Sequence, residues 1–264
     1  MMQAPLPSDT ITSAIRAAAA QGRPALVGFL TAGFPTRRDF MANLAAVAAV
    51  CDVVEIGVPF SDPMADGTTV QRASFAALAD GVTLPWIFEQ LKSRQPKLAA
   101  PLLLMSYLNP LLSMGMEALP RTAAAAGVAG CIVPDLPFEE SDALKMALES
   151  EGLALVQMVT PVTPPQRLAM LCREAKGFVY AVTMTGTTGG SKGSNAVPAD
   201  VLDYMRRVKS VSRVPVCAGF GIRSRAQVAQ FSGHVDGVVV GSALVEVLER
   251  GEDVGAFLRS LRAA

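Results

Sequence analysis

The chain predicts an α/β fold, a (β/α)8 or TIM barrel built as a single domain over residues 1–264. Three observations lead there. Short apolar runs alternate with segments of helical period from end to end, and there are eight such runs. Each run is almost continuously apolar, as parallel strands buried on both faces must be. No linker, repeat or low-complexity stretch divides the sequence, and eight βα units in this length close into a barrel. A doubly wound open sheet is the competitor, but it needs fewer strands and an early phosphate loop. No Gly-x-Gly-x-x-Gly follows the first run.

Taken in order, an amphipathic segment near Thr10–Gln21 precedes the first strand and is expected to cover the barrel floor as an extra N-terminal helix. The strands read as Ala25–Thr31, Val53–Gly57, Leu102–Ser106, Gly130–Pro134, Leu153–Val159, Gly177–Thr183, Pro215–Gly219 and Gly237–Gly241. Apolar residues at helical spacing place helices at Arg38–Val50, Glu117–Ala126, Ser141–Ser150, Pro165–Ala175, Ala199–Lys209, Arg225–Gln230, Ser242–Glu249 and Val254–Leu261. The connection after the second strand is longer and carries an added helix, Thr69–Ala79, ahead of Leu84–Ser93.

Composition narrows the function. The chain is 51% hydrophobic and 17% charged with zero formal net charge, and it has no basic stripe, so nucleic acid is not an expected partner. Met1–Thr10 is polar and proline-bearing, unlike a secretory signal, and the alanine runs 17–20 and 123–126 are too short to span a membrane. Cys51, Cys131, Cys172 and Cys217 lie far apart in mostly apolar surroundings. They read as buried free thiols in a reducing compartment, so a cytoplasmic location is expected. The one histidine, His234, precedes the last strand and so falls on the side of the barrel away from the chemistry. Histidine triads and histidine-based zinc centres are set aside, and no metal is expected.

In a barrel the functional residues stand at or just beyond the carboxyl ends of the strands. The second strand delivers Glu55 there, and the loop behind it carries Asp62 and Asp66 among Gly57, Pro59, Pro63 and Gly67. Partial burial behind Val53 and Val54 would lift the Glu55 pKa toward neutrality and let it both donate and accept a proton. Asp66 is expected to stay ionised and accept a substrate N–H. Asp135, between Pro134 and Pro137, reads as structural, bracing the site or binding a neighbouring loop. Gly219-Phe220-Gly221 and Gly241-Ser242 end the last two strands, where such barrels bind phosphate through glycine-exposed amides and a helix start. The glycine- and threonine-rich stretch 185–193 suits a lid. No lysine stands at a strand's carboxyl end, which argues against a Schiff-base aldolase.

Four motifs carry a resemblance over essentially the whole chain: Phe29-Leu-Thr-Ala-Gly-Phe-Pro, Glu55-Ile-Gly-Val-Pro-Phe-Ser-Asp-Pro-Met-Ala-Asp66-Gly, Val133-Pro-Asp-Leu-Pro and Gly219-Phe-Gly-Ile. Together they resemble the tryptophan synthase alpha chain, and the second is the most specific. The resemblance implies a lyase that splits indole-3-glycerol phosphate into indole and glyceraldehyde 3-phosphate. By motif it implies Glu55 as acid/base and Asp66 as partner of the indole N–H. Phe29 and Tyr180 would line the indole pocket, with Gly189, Phe220, Gly221, Gly241 and Ser242 around the phosphate and Thr188 in a closing loop. It implies no cofactor in this chain, and docking in an alpha2beta2 heterotetramer on a beta chain that carries pyridoxal phosphate. The loop Pro59–Pro63 and the Tyr107–Pro110 region match the surfaces that would face that partner. One departure stands out: the family usually has proline after Asp-Gly, and this chain has Thr68. Threonine there would loosen the turn or cap the next helix.

Overall fold

The computed structural model describes residues 5–93, 98–183, 197–219 and 221–262. Eight parallel strands close into a barrel in sequence order: β1 Ala25–Thr31, β2 Val53–Gly57, β3 Leu102–Met105, β4 Val128–Ile132, β5 Ala154–Val159, β6 Val179–Val182, β7 Val216–Gly219 and β8 Gly237–Val240. Around them lie α1 Pro7–Ala20, α2 Phe40–Ala48, α3 Thr68–Ala79, α4 Leu84–Ser93, α5 Leu108–Met114 and α6 Ala118–Ala125. The outer layer continues with α7 Asp142–Ser150, α8 Pro165–Glu174, α9 Ala199–Val211, α10 Arg225–Phe231, α11 Ser242–Glu249 and α12 Val254–Leu261.

Alternate residues of each strand face opposite ways, and both faces are buried here. The inward set, including Ala25, Val27, Val53, Leu103, Val156, Cys217 and Val239, forms one cluster with Phe178 just ahead of β6 and with Ile11, Ile15 and Ala18 of α1. The expected N-terminal helix thus plugs the barrel floor. The outward set, including Leu26, Leu30, Val54, Ile56, Leu102 and Leu104, packs against the surrounding helices. At the floor, Asp52 accepts two bonds from Arg23 (2.7 and 2.8 Å) and one from the Leu26 N–H (2.8 Å), tying the approaches to β1 and β2 together.

Two expectations are corrected. The fourth strand runs Val128–Ile132, two residues earlier than Gly130–Pro134, because Gly127 at φ 74° ends α6 abruptly and releases the chain into the sheet. The segment after the third strand, where no helix was expected, forms α5 with Tyr107 as its N-cap. Pro110 falls in the first turn, where a missing N–H costs nothing.

Candidate active site at the carboxyl end of the barrel

Glu55 is the middle residue of β2, set between Phe29 of β1 and Leu103 of β3 in the ladder. Its side chain points into the barrel and is fully buried. Neither carboxylate oxygen has a hydrogen-bond partner among the described residues. Burial without compensation disfavours the charged form and pushes its pKa up to about 8. The charge of Glu55 is felt by Tyr180 on β6 and Cys217 on β7, so these groups share the same interior. Thr31, at the end of β1, has a buried hydroxyl in the same unpartnered condition.

Glycines make room for the aromatic rings beside it. A Cβ at Gly57 would fall 2.6 Å from the Phe29 ring, and one at Gly219 would fall 2.6 Å from the Tyr180 ring. Real Cβ atoms do not come so close, so both rings occupy space that only glycine leaves open. Gly241 also borders Phe29, at 3.8 Å from its Cβ position. The sequence-predicted residues Phe29, Glu55, Tyr180, Gly219 and Gly241 are therefore brought together on or just after five strands, with Glu55 two residues short of the strand end where the sequence placed it.

Asp66 lies in the loop after β2, and Tyr107 at the end of β3 organises it. The Tyr107 hydroxyl accepts the Ala65 N–H (2.8 Å) and its ring stacks on Phe60 at 4.9 Å. Burial raises the Asp66 pKa to about 6, while the Tyr107 hydroxyl beside it favours the ionised form. The ionised form that the sequence reading assigns to Asp66 is thus disfavoured by burial and favoured by Tyr107. Gln71 of α3 closes the loop by donating to the carbonyls of Pro63 (3.2 Å) and Asp66 (3.0 Å). A cleft of about 10 Å³, room for about one water, remains among Phe29, Gly57, Asp66, Tyr107 and Pro134.

Beyond the ends of β7 and β8, Gly221 is exposed at φ 68° and Gly241 caps the start of α11, whose first residue is Ser242. The first amides of a helix have no partner within it and favour an anion. Thr188, Gly189, Phe220 and the stretch 185–193 lie outside the described residues. Asp62 is exposed and bonded to Ser61, apart from the site. Asp135 takes the Leu108 N–H (2.9 and 3.2 Å) and so braces the start of α5, as expected of it. The role of Tyr107 was missed, although its place after β3 is the kind of position where barrels carry function.

The four cysteines are buried and free. Among the described residues no group of three or more His, Cys, Asp or Glu could hold a metal ion, and no helix is long and apolar enough to cross a membrane.

The family model described as tryptophan synthase alpha chain matches residues 15–260. The chain is 46% identical over 247 residues to the tryptophan synthase alpha chain of Nitratidesulfovibrio vulgaris strain DP4, covering 93% of this chain and 95% of that one. To the counterpart in Xanthomonas oryzae pv. oryzae it is 43% identical over 254 residues, covering 93% and 94%. Among solved structures it is similar to tryptophan synthase from M. tuberculosis in an open form, with a TM-score of 0.85 at 35% identity over 96% of both chains. It is also similar to a chain of the a2b2 tryptophan synthase complex of Pyrococcus furiosus, with a TM-score of 0.83 at 33% identity over 90% of this chain and 98% of that one. With the family model matched over residues 15–260 and relatives at 46% and 43% identity along nearly the whole length, on a closed parallel barrel with a buried acid inside, the chain belongs to the tryptophan synthase alpha chain family.

Proposed function

We propose that this chain cleaves indole-3-glycerol phosphate to indole and glyceraldehyde 3-phosphate in tryptophan biosynthesis, with Glu55 as acid and base and Asp66 as partner of the indole nitrogen. The observation that carries the roles is the fully buried, unpartnered Glu55 carboxyl with its pKa pushed up to about 8. Such a group holds its proton at neutral pH and can give it to a carbon atom. Protonation of indole C3 converts the ring to an indoleninium cation, and the ionised Asp66 stabilises the positive N–H. The Glu55 carboxylate then takes the glycerol hydroxyl proton. The new C=O forms as the C3–C bond breaks, and its electron pair restores the indole ring. The proton lost from the hydroxyl balances the one gained at C3, so the reaction is a retro-aldol lysis without redox change.

Phe29 and Tyr180, seated in the space that Gly57 and Gly219 leave open, would flank the indole. The amides near Gly221, Gly241 and Ser242, with Phe220, Gly189 and the Thr188 loop closing over them, would hold the phosphate. The chain would use no cofactor of its own, and pyridoxal phosphate would belong to a beta chain. Docking on that partner, in an alpha2beta2 assembly, is supported by the exposed Met64 (86%) and Leu112 (46%), which sit beside the two segments matched to the partner surface. Four free thiols support a cytoplasmic location.

The test is indole release from indole-3-glycerol phosphate by wild type, Glu55→Gln and Asp66→Asn, each with and without a beta chain. Loss of about 10²–10⁴ in turnover for Glu55→Gln is expected of a removed acid/base. Asp66→Asn should lose most activity with its circular dichroism unchanged. Near-normal turnover in either variant would remove the assigned role, and no stimulation by the beta chain would remove the partner.

A further inference from the structure

Glu246 lies in α11 one turn beyond Ser242, about 6 Å along the axis. Helical side chains lean toward the N-terminus, so its carboxylate is carried back toward the head of the helix. There it meets two other elements. Arg223, in the loop after β7 and two residues past Gly221, donates Nη1 and Nη2 to its two oxygens at 2.7 and 2.8 Å. Thr69, in the first turn of α3 and three residues past Asp66, donates its hydroxyl at 3.5 Å. One turn further along, Arg72 of α3 and Glu249 of α11 pair through two bonds of 2.9 and 2.8 Å.

The partial positive charge of a helix start amounts to about half a unit. A full negative charge one turn away would offset much of its attraction for a phosphate dianion. Arg223 is held where it offsets that charge. Its backbone N–H donates to Gln227 (2.8 Å), which also forms the capping box with Ser224 at the start of α10. Its guanidinium is fixed by both Glu246 oxygens, leaving the phosphate to the backbone amides.

We infer that Arg223 is a positioning residue of the phosphate subsite: its two-bond pair with Glu246 neutralises the carboxylate at the head of α11 and so sets affinity for the phosphate of the substrate. The inference rests on reading the loops after β7 and β8 as that subsite. Arg223 and Glu246 stand 23 residues apart, and neither belongs to the motifs by which the phosphate site was read.

The experiment measures kcat and KM for indole-3-glycerol phosphate, and the inhibition constant of inorganic phosphate, in five proteins with the beta chain present. These are wild type, Arg223→Ala, Arg223→Lys, Glu246→Gln and the double variant Arg223→Ala/Glu246→Gln. At low salt Arg223→Ala should raise both KM and the phosphate inhibition constant by about three- to tenfold, the effect of one unit charge at this range near a surface, with kcat within about twofold. The effect should shrink near 1 M salt, where the screening length is about 3 Å. Arg223→Lys keeps the charge and should stay near wild type. Glu246→Gln should bind phosphate at least as well as wild type, and the double variant should regain wild-type KM. A simple brace gives the opposite pattern, with Glu246→Gln as harmful as Arg223→Ala and no rescue in the double variant; that result, or an unchanged KM in Arg223→Ala, overturns the inference. Failure of phosphate to compete with substrate in the wild type would instead overturn the phosphate reading on which it rests.

Discussion

Glu55→Gln should stabilise this protein while it abolishes the acid, and the gain should depend on pH. In the unfolded chain the Glu55 carboxyl titrates near 4.5, and burial lifts it to about 8 in the barrel. Between those values the native state holds a proton that the unfolded state has released. Stability is therefore greatest below about 4.5 and falls as pH rises to about 8. At pH 7 the gap is about 2.5 units at 1.36 kcal/mol each, so keeping this carboxyl neutral costs roughly 3 kcal/mol. Above pH 8 the cost levels off near 5 kcal/mol on the same arithmetic. Glutamine has nearly the same shape and never ionises. The variant should match wild type near pH 4.5 and exceed it by roughly 3 kcal/mol at pH 7. Urea unfolding at pH 5, 7 and 9 would read this directly: with a slope of about 3 kcal/mol per molar, the midpoint at pH 7 should rise by about 1 M. Asp66 titrates in both proteins and cancels from the difference. A midpoint difference that does not change with pH would mean that the native carboxyl is paired or hydrated, and the proposed acid would lose the physical source of its proton at neutral pH.

Two further outcomes follow from the same site. The pH profile of kcat/KM should be bell-shaped, falling below about 6 as Asp66 gains a proton and above about 8 as Glu55 loses one; a profile flat to pH 9 would remove Glu55 as the acid. Gly219→Ala puts a methyl group 2.6 Å from the Tyr180 ring and must displace it. The cost in stability should be about 1–3 kcal/mol, with a clear rise in KM, and an unchanged KM would detach Tyr180 from the indole pocket.

What the sequence made legible follows from which forces are local. β2 was read with its observed ends because five consecutive buried residues leave a nearly unbroken apolar run, and the one charge within it stands out. The interior position of Glu55 then follows from alternation along the strand. The helix α5 was not legible, because Asn109-Pro110 is locally a turn signal. What starts that helix is the Asp135 carboxylate on the Leu108 N–H, a bond spanning 27 residues. The same limit hid Tyr107, whose bond to Ala65 spans 42 residues, and the pairing of Arg223 with Glu246. Residue types at strand ends announced the candidate site, whereas the contacts that order its loops are tertiary and left no local pattern.

Thr68 is the departure that the sequence left open between a looser loop and a capped helix, and the structure favours neither. The N-cap of α3 is Gly67, with φ −74° and ψ 161° and no side-chain cap, and Thr68 is the first helical residue, exposed to solvent. That is the position where proline fits best, since its missing N–H has no partner within the helix and the preceding residue is already extended. Thr68→Pro should therefore raise stability by about 0.4–1 kcal/mol, chiefly by restricting the unfolded chain. Indole release should stay within about twofold of wild type. Order in the Asp66 loop comes instead from the two bonds of Gln71 and from the Tyr107 hydroxyl, so Gln71→Ala should raise KM more than any change at position 68. If Thr68→Pro improved turnover strongly and Gln71→Ala left it untouched, loop order would have to reside in the turn backbone, and the threonine would be a real weakening of the site.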